Sequence, residues 1–116
     1  MKIEDLRIGN WILGTNSERK SELKPFQVYA ETFCDIESTY GIFEPIPISE
    51  DILLKCGFEY IKEVGYCDKN NVIYQTANGW ELLINCIDKC NVEIKYLHQL
   101  QNITYFLINE ELKVNI

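Results

Sequence analysis

The sequence predicts an α+β fold: two small antiparallel β-rich halves joined by a short helix, with an amphipathic helix near the C-terminus. Three features predict it. Apolar and polar residues alternate at period two in several short stretches. A well-punctuated helical segment spans residues 49–57. The period then changes to that of a helix after Leu97.

Leu6-Arg7-Ile8-Gly9-Asn10 reads as a tight turn, with Gly9 supplying its unusual backbone angle. A strand follows over 10–13. Residues 15–24 are polar and read as an exposed loop or the tip of a long hairpin, ended by Pro25. In Phe26–Ile36 the residues Phe26, Val28, Ala30, Cys34 and Ile36 alternate with Gln27, Tyr29, Glu31, Phe33 and Asp35, the mark of a half-buried strand. Tyr40–Glu44 supplies a third strand. Three short strands in succession make a small meander that suits an SH3-like arrangement.

Pro45-Ile46-Pro47-Ile48 is extended. Ser49 then caps a helix whose first acids, Glu50 and Asp51, meet the positive end of its dipole. Gly57 fits the left-handed position that ends it, with Phe58 folding back. Residues 72–76 and 80–85 flank Ala77-Asn78-Gly79, a strong hairpin signal. Val92–Tyr96 reads as a further strand. In the last helix Tyr96, Leu100, Ile103 and Leu107 make one stripe, while His98, Asn102, Tyr105 and Asn109 make another. Leu112–Ile116 alternates as an edge strand would. The division is a single domain, 1–116, with sub-halves at about 1–48 and 59–116 linked by helix 49–57.

At 116 residues the chain is long enough to fold on one core. Eighteen acidic against eleven basic residues give a net charge of −7. That balance argues against binding a nucleic-acid backbone, which requires Lys and Arg to displace counterions. It leaves room for a small anion in a local basic pocket, or for an acidic surface that occupies a partner's nucleic-acid site. The N-terminus turns acidic at once and shows no signal peptide, and no apolar run is long enough for a membrane helix. The five cysteines, an odd number, fit reduced thiols in a cytosol.

Motifs that carry chemistry are missing from the sequence: there is no GxGxxG, Walker loop, HExxH or GxSxG. Cys86 and Cys90 are close, but a structural zinc site needs four ligands and His98 is the single histidine. No metal or cofactor is expected, and no catalytic residue is assigned. The paired acids Glu4/Asp5, Glu50/Asp51 and Glu110/Glu111 sit where helix-start or surface acids belong. The aromatic residues are more informative. Trp11, Tyr29 and Phe33 could stack on a base or anchor a partner, with Arg7 to meet a phosphate and His98, Gln101 and Asn102 to add polar contacts from the last helix.

Leu6-Arg7-Ile8-Gly9-Asn10, Pro45-Ile46-Pro47-Ile48-Ser49-Glu50, Leu54-Lys55-Cys56-Gly57-Phe58, His98-Gln99-Leu100-Gln101-Asn102 and Glu110-Glu111-Leu112 occur in that order. In this pattern the chain resembles a family of small proteins encoded by phages and prophages of gut anaerobic bacteria, for which no activity is established. Family members commonly carry Gly before Glu-Glu-Leu, where this sequence has Asn109, another residue that tolerates the left-handed conformation. The resemblance implies a setting rather than an activity: an accessory protein of a mobile element, inside a bacterial cell. The expected function is a non-enzymatic binding protein that counters host defence, either by sequestering a nucleotide immune signal or by blocking a host defence protein. The alternative is an assembly protein that works as a homo-oligomer.

Overall fold

The computed structural model describes residues 3–15, 20–37, 41–69, 71–84 and 90–116. Those residues form an α+β protein with a helix near the C-terminus. The chain divides into two compact units: residues 1–47 with 96–111, and residues 48–95 with 112–116. The division differs from the sequence reading of halves at 1–48 and 59–116. The C-terminal helix groups with the N-terminal sheet, and helix 49–57 belongs to the second unit instead of linking the two.

The first unit holds strands β1 (Trp11–Thr15), β2 (Lys24–Gln27) and β3 (Ile42–Pro45), in the order β2-β1-β3, all antiparallel. Pro25 and Pro45 both sit on edge strands, where a missing N–H costs least. Gly9, at φ +97, makes the tight turn into β1. Helix α1 (Ala30–Glu37) lies between β2 and β3 in sequence. This corrects the expected strand over Phe26–Ile36, and with it the SH3-like meander of three consecutive strands.

The reason is local. Val28, Thr32 and Ile36 stand four residues apart, a helical spacing that also keeps them on one phase of an alternating pattern, whereas Phe33 joins their face only in a helix. The Thr32 side chain accepts a hydrogen bond from the Tyr29 N–H (3.2 Å) and its own N–H donates to the Tyr29 carbonyl (3.0 Å), which closes the first turn. Phe33 and Ile36 then pack with Phe26 and Phe43 against the buried Leu6, Ile12 and Val28.

Helix α2 (Glu50–Lys55) opens the second unit, with Ser49 accepting from the Ile52 N–H at 3.3 Å as expected. It ends in a Schellman motif: Phe58 N–H donates to the Leu53 carbonyl and Gly57 N–H to that of Leu54, both at 3.1 Å. Leu53, Cys56 and Phe58 are buried. A five-stranded antiparallel sheet follows in chain order: β4 (Glu59–Ile61), β5 (Gly65–Cys67), β6 (Asn71–Thr76), β7 (Gly79–Ile84) and β8 (Cys90–Ile94). The expected hairpin forms, with Thr76 paired to Gly79 across Ala77-Asn78. Tyr66 lies opposite Ile73, and Ile73 opposite Leu82, so one face of the sheet carries these buried residues together with Ile94. Residues 112–116 form no strand; the Asn115 N–H donates to the Lys55 carbonyl instead (2.9 Å).

Helix α3 (Leu97–Ile108) completes the first unit and packs on β1. It ends at Asn109 in the left-handed conformation, φ 56 and ψ 31. Its buried face is Leu97, His98, Leu100, Gln101 and Thr104. Of the expected Tyr96/Leu100/Ile103/Leu107 stripe only Leu100 is buried, because three of the buried positions, His98, Gln101 and Thr104, are polar and an apolar count passes over them.

Candidate functional site

The turn at residues 7–10 and helix α3 meet in a dense polar cluster within the first unit. Asn10 is fully buried. Its Oδ1 accepts from the Arg7 N–H at 2.7 Å, and its Nδ2 donates to Asn102 Oδ1 at 2.8 Å. Asn102 Oδ1 also accepts from Arg7 Nε (3.2 Å), while Asn102 Nδ2 donates to the Asp5 carbonyl (2.9 Å). Gln101 works beside it. Its Oε1 accepts from the Trp11 N–H (2.8 Å) and its Nε2 donates to the Gly9 carbonyl (3.2 Å). These bonds satisfy backbone groups that would otherwise be orphaned where the turn runs under the helix.

Arg7 has two further side-chain partners, Glu111 and Tyr105. Its guanidinium makes a two-pronged ion pair with Glu111, one prong being Nη2 to Oε2 at 3.1 Å and the other Nη1 to Oε1. It also lies over the Tyr105 ring, 4.4 Å from the centroid. The fork geometry suits a carboxylate as well as it would a phosphate, and here the protein's own Glu111 fills that role.

His98 is buried, stacked on Tyr96 with ring centroids 5.8 Å apart and planes 7° from parallel. Burial holds its imidazole below the ordinary value, against the opposing pull of Asp5. His98 Nδ1 and Thr104 Oγ1 are buried without a protein hydrogen-bond partner among the described residues.

Of the residues that the sequence singles out, Arg7, Gln101 and Asn102 are brought together, and Trp11 joins them through its backbone N–H. Tyr29 and Phe33 do not take part in this network. Tyr29 stands just before α1 with half its surface exposed, and Phe33, on α1 rather than a strand, packs into the core. Tyr29 lines a separate cleft of about 200 Å3 with Phe26, Phe43, Lys24 and Asp35. Asn10 and Glu111 are the members of the cluster that sequence reasoning missed. Asn10 looked like a turn residue, and Glu111 like a surface acid; neither pattern signals a partner so distant in the chain.

Beside the cluster, Tyr105 and Phe106 line a shallow hollow with Glu4, Asp5 and Asn109. Phe106 is 87% exposed, and Ile8 is 59% exposed. Among the thiols, Cys56 is pushed up to about 12 by burial and is therefore a poor nucleophile at neutral pH. Cys86 lies outside the described residues, so the spacing of Cys86 and Cys90 has no structural counterpart here. Among the described residues no group of three or more His, Cys, Asp and Glu side chains is placed to hold a metal ion. No helix among them is long and apolar enough to cross a membrane. The chain matches no family model, no curated protein and no solved structure.

Proposed function

We propose that the chain is a non-enzymatic accessory binding protein of a mobile genetic element, which acts on its host by occupying a protein of the defence machinery. The observation that carries this reading is Phe106, an aromatic side chain left 87% exposed on a well-ended helix. Exposed aromatic residues with acids beside them are the make-up of an anchor and its polar rim. The matching partner surface is an apolar pocket within basic residues, since Glu4 and Asp5 share the hollow with Arg7, whose charge is paired with Glu111, and the whole chain carries −7.

Capture of a cyclic nucleotide is the less favoured version. Arg7, Gln101 and Asn102 already hold internal partners, and His98 is buried. A nucleotide would have to displace Glu111 from Arg7 before meeting the guanidinium.

The test compares wild type with Phe106→Asp, each expressed with a tag in a host bacterium. The variant should melt within about 0.5 kcal/mol of wild type, because the position is exposed. It should lose a host protein that wild type retains in stoichiometric amount. Retention of the same protein by both forms would remove the Phe106 surface from the function. Calorimetry against a panel of cyclic nucleotides should give no heat with either form.

The assembly reading rests on a different observation: Tyr60 and Ile61 of β4, the edge strand of the second sheet among the described residues, are exposed together with Val64 of the turn that follows. Light scattering separates the two. The binding reading predicts a monomer at micromolar concentration, and the assembly reading a dimer that Tyr60→Asp dissociates.

A further inference from the structure

The second unit contains a cleft of about 320 Å3 whose lining includes Glu50, Tyr60, Glu63, Tyr66 and Gln75. Tyr60 and Tyr66 are cross-strand partners in β4 and β5, and their rings stand 5.1 Å apart with planes inclined at 54°. The two tilted rings make an aromatic corner in the lining of the cleft, with Tyr66 buried and Tyr60 on the open side. The Tyr66 ring is fixed on its other side by Trp80, edge-on at 5.8 Å, and its hydroxyl donates to Glu50. Tyr60, by contrast, is 62% exposed and open to a ligand.

The charge is one-sided. Two of the lining residues are carboxylates and none of them is Lys, Arg or His. The Tyr66 hydroxyl is pushed up to about 12, first by its bond to Glu50, then by burial and by the charge of Glu50. Aromatic faces attract cations through the ring quadrupole, and carboxylates on the rim add direct attraction. Val64 and Gly65 contribute the rest of a wall against which an alkyl chain can lie.

We propose that this tyrosine–carboxylate cleft is a binding site for an organic cation: an alkylammonium or guanidinium group. The head group would sit in the Tyr60/Tyr66 corner between Glu50 and Glu63. Glu50 and Glu63 disfavour an anion, and a neutral ligand gains nothing from their charge. The proposal stands independently of the Phe106 surface, which lies in the other unit.

The decisive probe is choline, set against its uncharged isostere 3,3-dimethylbutan-1-ol. Both are titrated into the intact protein, and the amide and tyrosine ring signals of residues 59–66 are followed by NMR. Choline should shift the Tyr60, Glu63 and Gly65 signals along one saturable curve, while the isostere should not. Tyr60→Ala and Glu63→Gln should each weaken choline by roughly two- to five-fold. Glu63 is exposed, so Glu63→Gln should leave the melting temperature unchanged, while Tyr60→Ala gives up the ring contact with Tyr66 and should cost no more than about 1 kcal/mol. A blocked Gly-Lys-Gly peptide and n-butylamine are run in parallel. Tighter binding of the peptide points to a basic side chain of a partner protein as the natural ligand, and equal binding to a free amine. Equal shifts from choline and its isostere would overturn the proposal, as would shifts spread evenly over the surface or no saturable shift with any cation.

Discussion

Asn102 shows how much of the first unit rests on single polar side chains. Its Oδ1 accepts from Arg7 and Asn10, residues 95 and 92 positions away, and its amide returns a bond to the Asp5 carbonyl. Removing it would leave the buried Asn10 Nδ2 without its acceptor. Asn102→Ala should therefore destabilise the protein by about 1–3 kcal/mol in urea unfolding, far more than an exposed Asn on a helix normally would. His98 gives a second test at this scale. Its folded value lies below the ordinary 6.5, so the fold favours the neutral ring and the unfolded chain binds the extra proton. The stabilisation is then complete above about pH 6.5 and is lost as the pH falls from there through the folded value. Urea midpoints for wild type and His98→Gln, followed from pH 7.5 to 5, should converge on acidification because only wild type carries this term.

The elements differ in how far they can be read from sequence. Helix α2 was legible because Ser49, Gly57 and Phe58 are local signals that act on neighbours in the chain. The 71–84 hairpin and the Asn109 end of α3 were legible for the same reason. The strand expected at 26–36 failed because Val28 and Ile36 fit both periods, and the Tyr29–Thr32 hydrogen bonds decided for the helix. Strands β4 and β5 were missed because three residues each are too few to show a period. Their hairpin instead depends on backbone geometry. Gly65 has φ +128, and a Cβ there would come within 2.7 Å of the Ile73 carbonyl oxygen. Gly65→Ala should cost more than about 2 kcal/mol by the same unfolding measurement. It should also broaden the Tyr60 and Tyr66 signals, because the β4–β5 pairing sets the spacing of those rings. The candidate site was partly legible for related reasons. Arg7, Gln101 and Asn102 stand out as polar residues near apolar patterns, but that they bond to one another and to the 7–10 turn follows only from the fold.

At the scale of the whole molecule, charge and exposure matter more than any polar motif. The chain carries −7, and its exposed aromatic residues include Phe106 in the first unit and Tyr60 in the second. Arg7, Gln101 and Asn102 are engaged inside the fold, whereas Phe106 and Tyr60 stand exposed. Phe106 is the proposed anchor for a host protein. Replacing Phe106 with the photoreactive analogue p-benzoylphenylalanine tests it most directly, because the analogue captures only what lies against that position. Irradiation in the host cell should yield one dominant adduct, identified by mass spectrometry, on a basic surface of a single host protein. Adducts scattered over abundant proteins in proportion to their amount, or a crosslink only to a second copy of the chain, would contradict it.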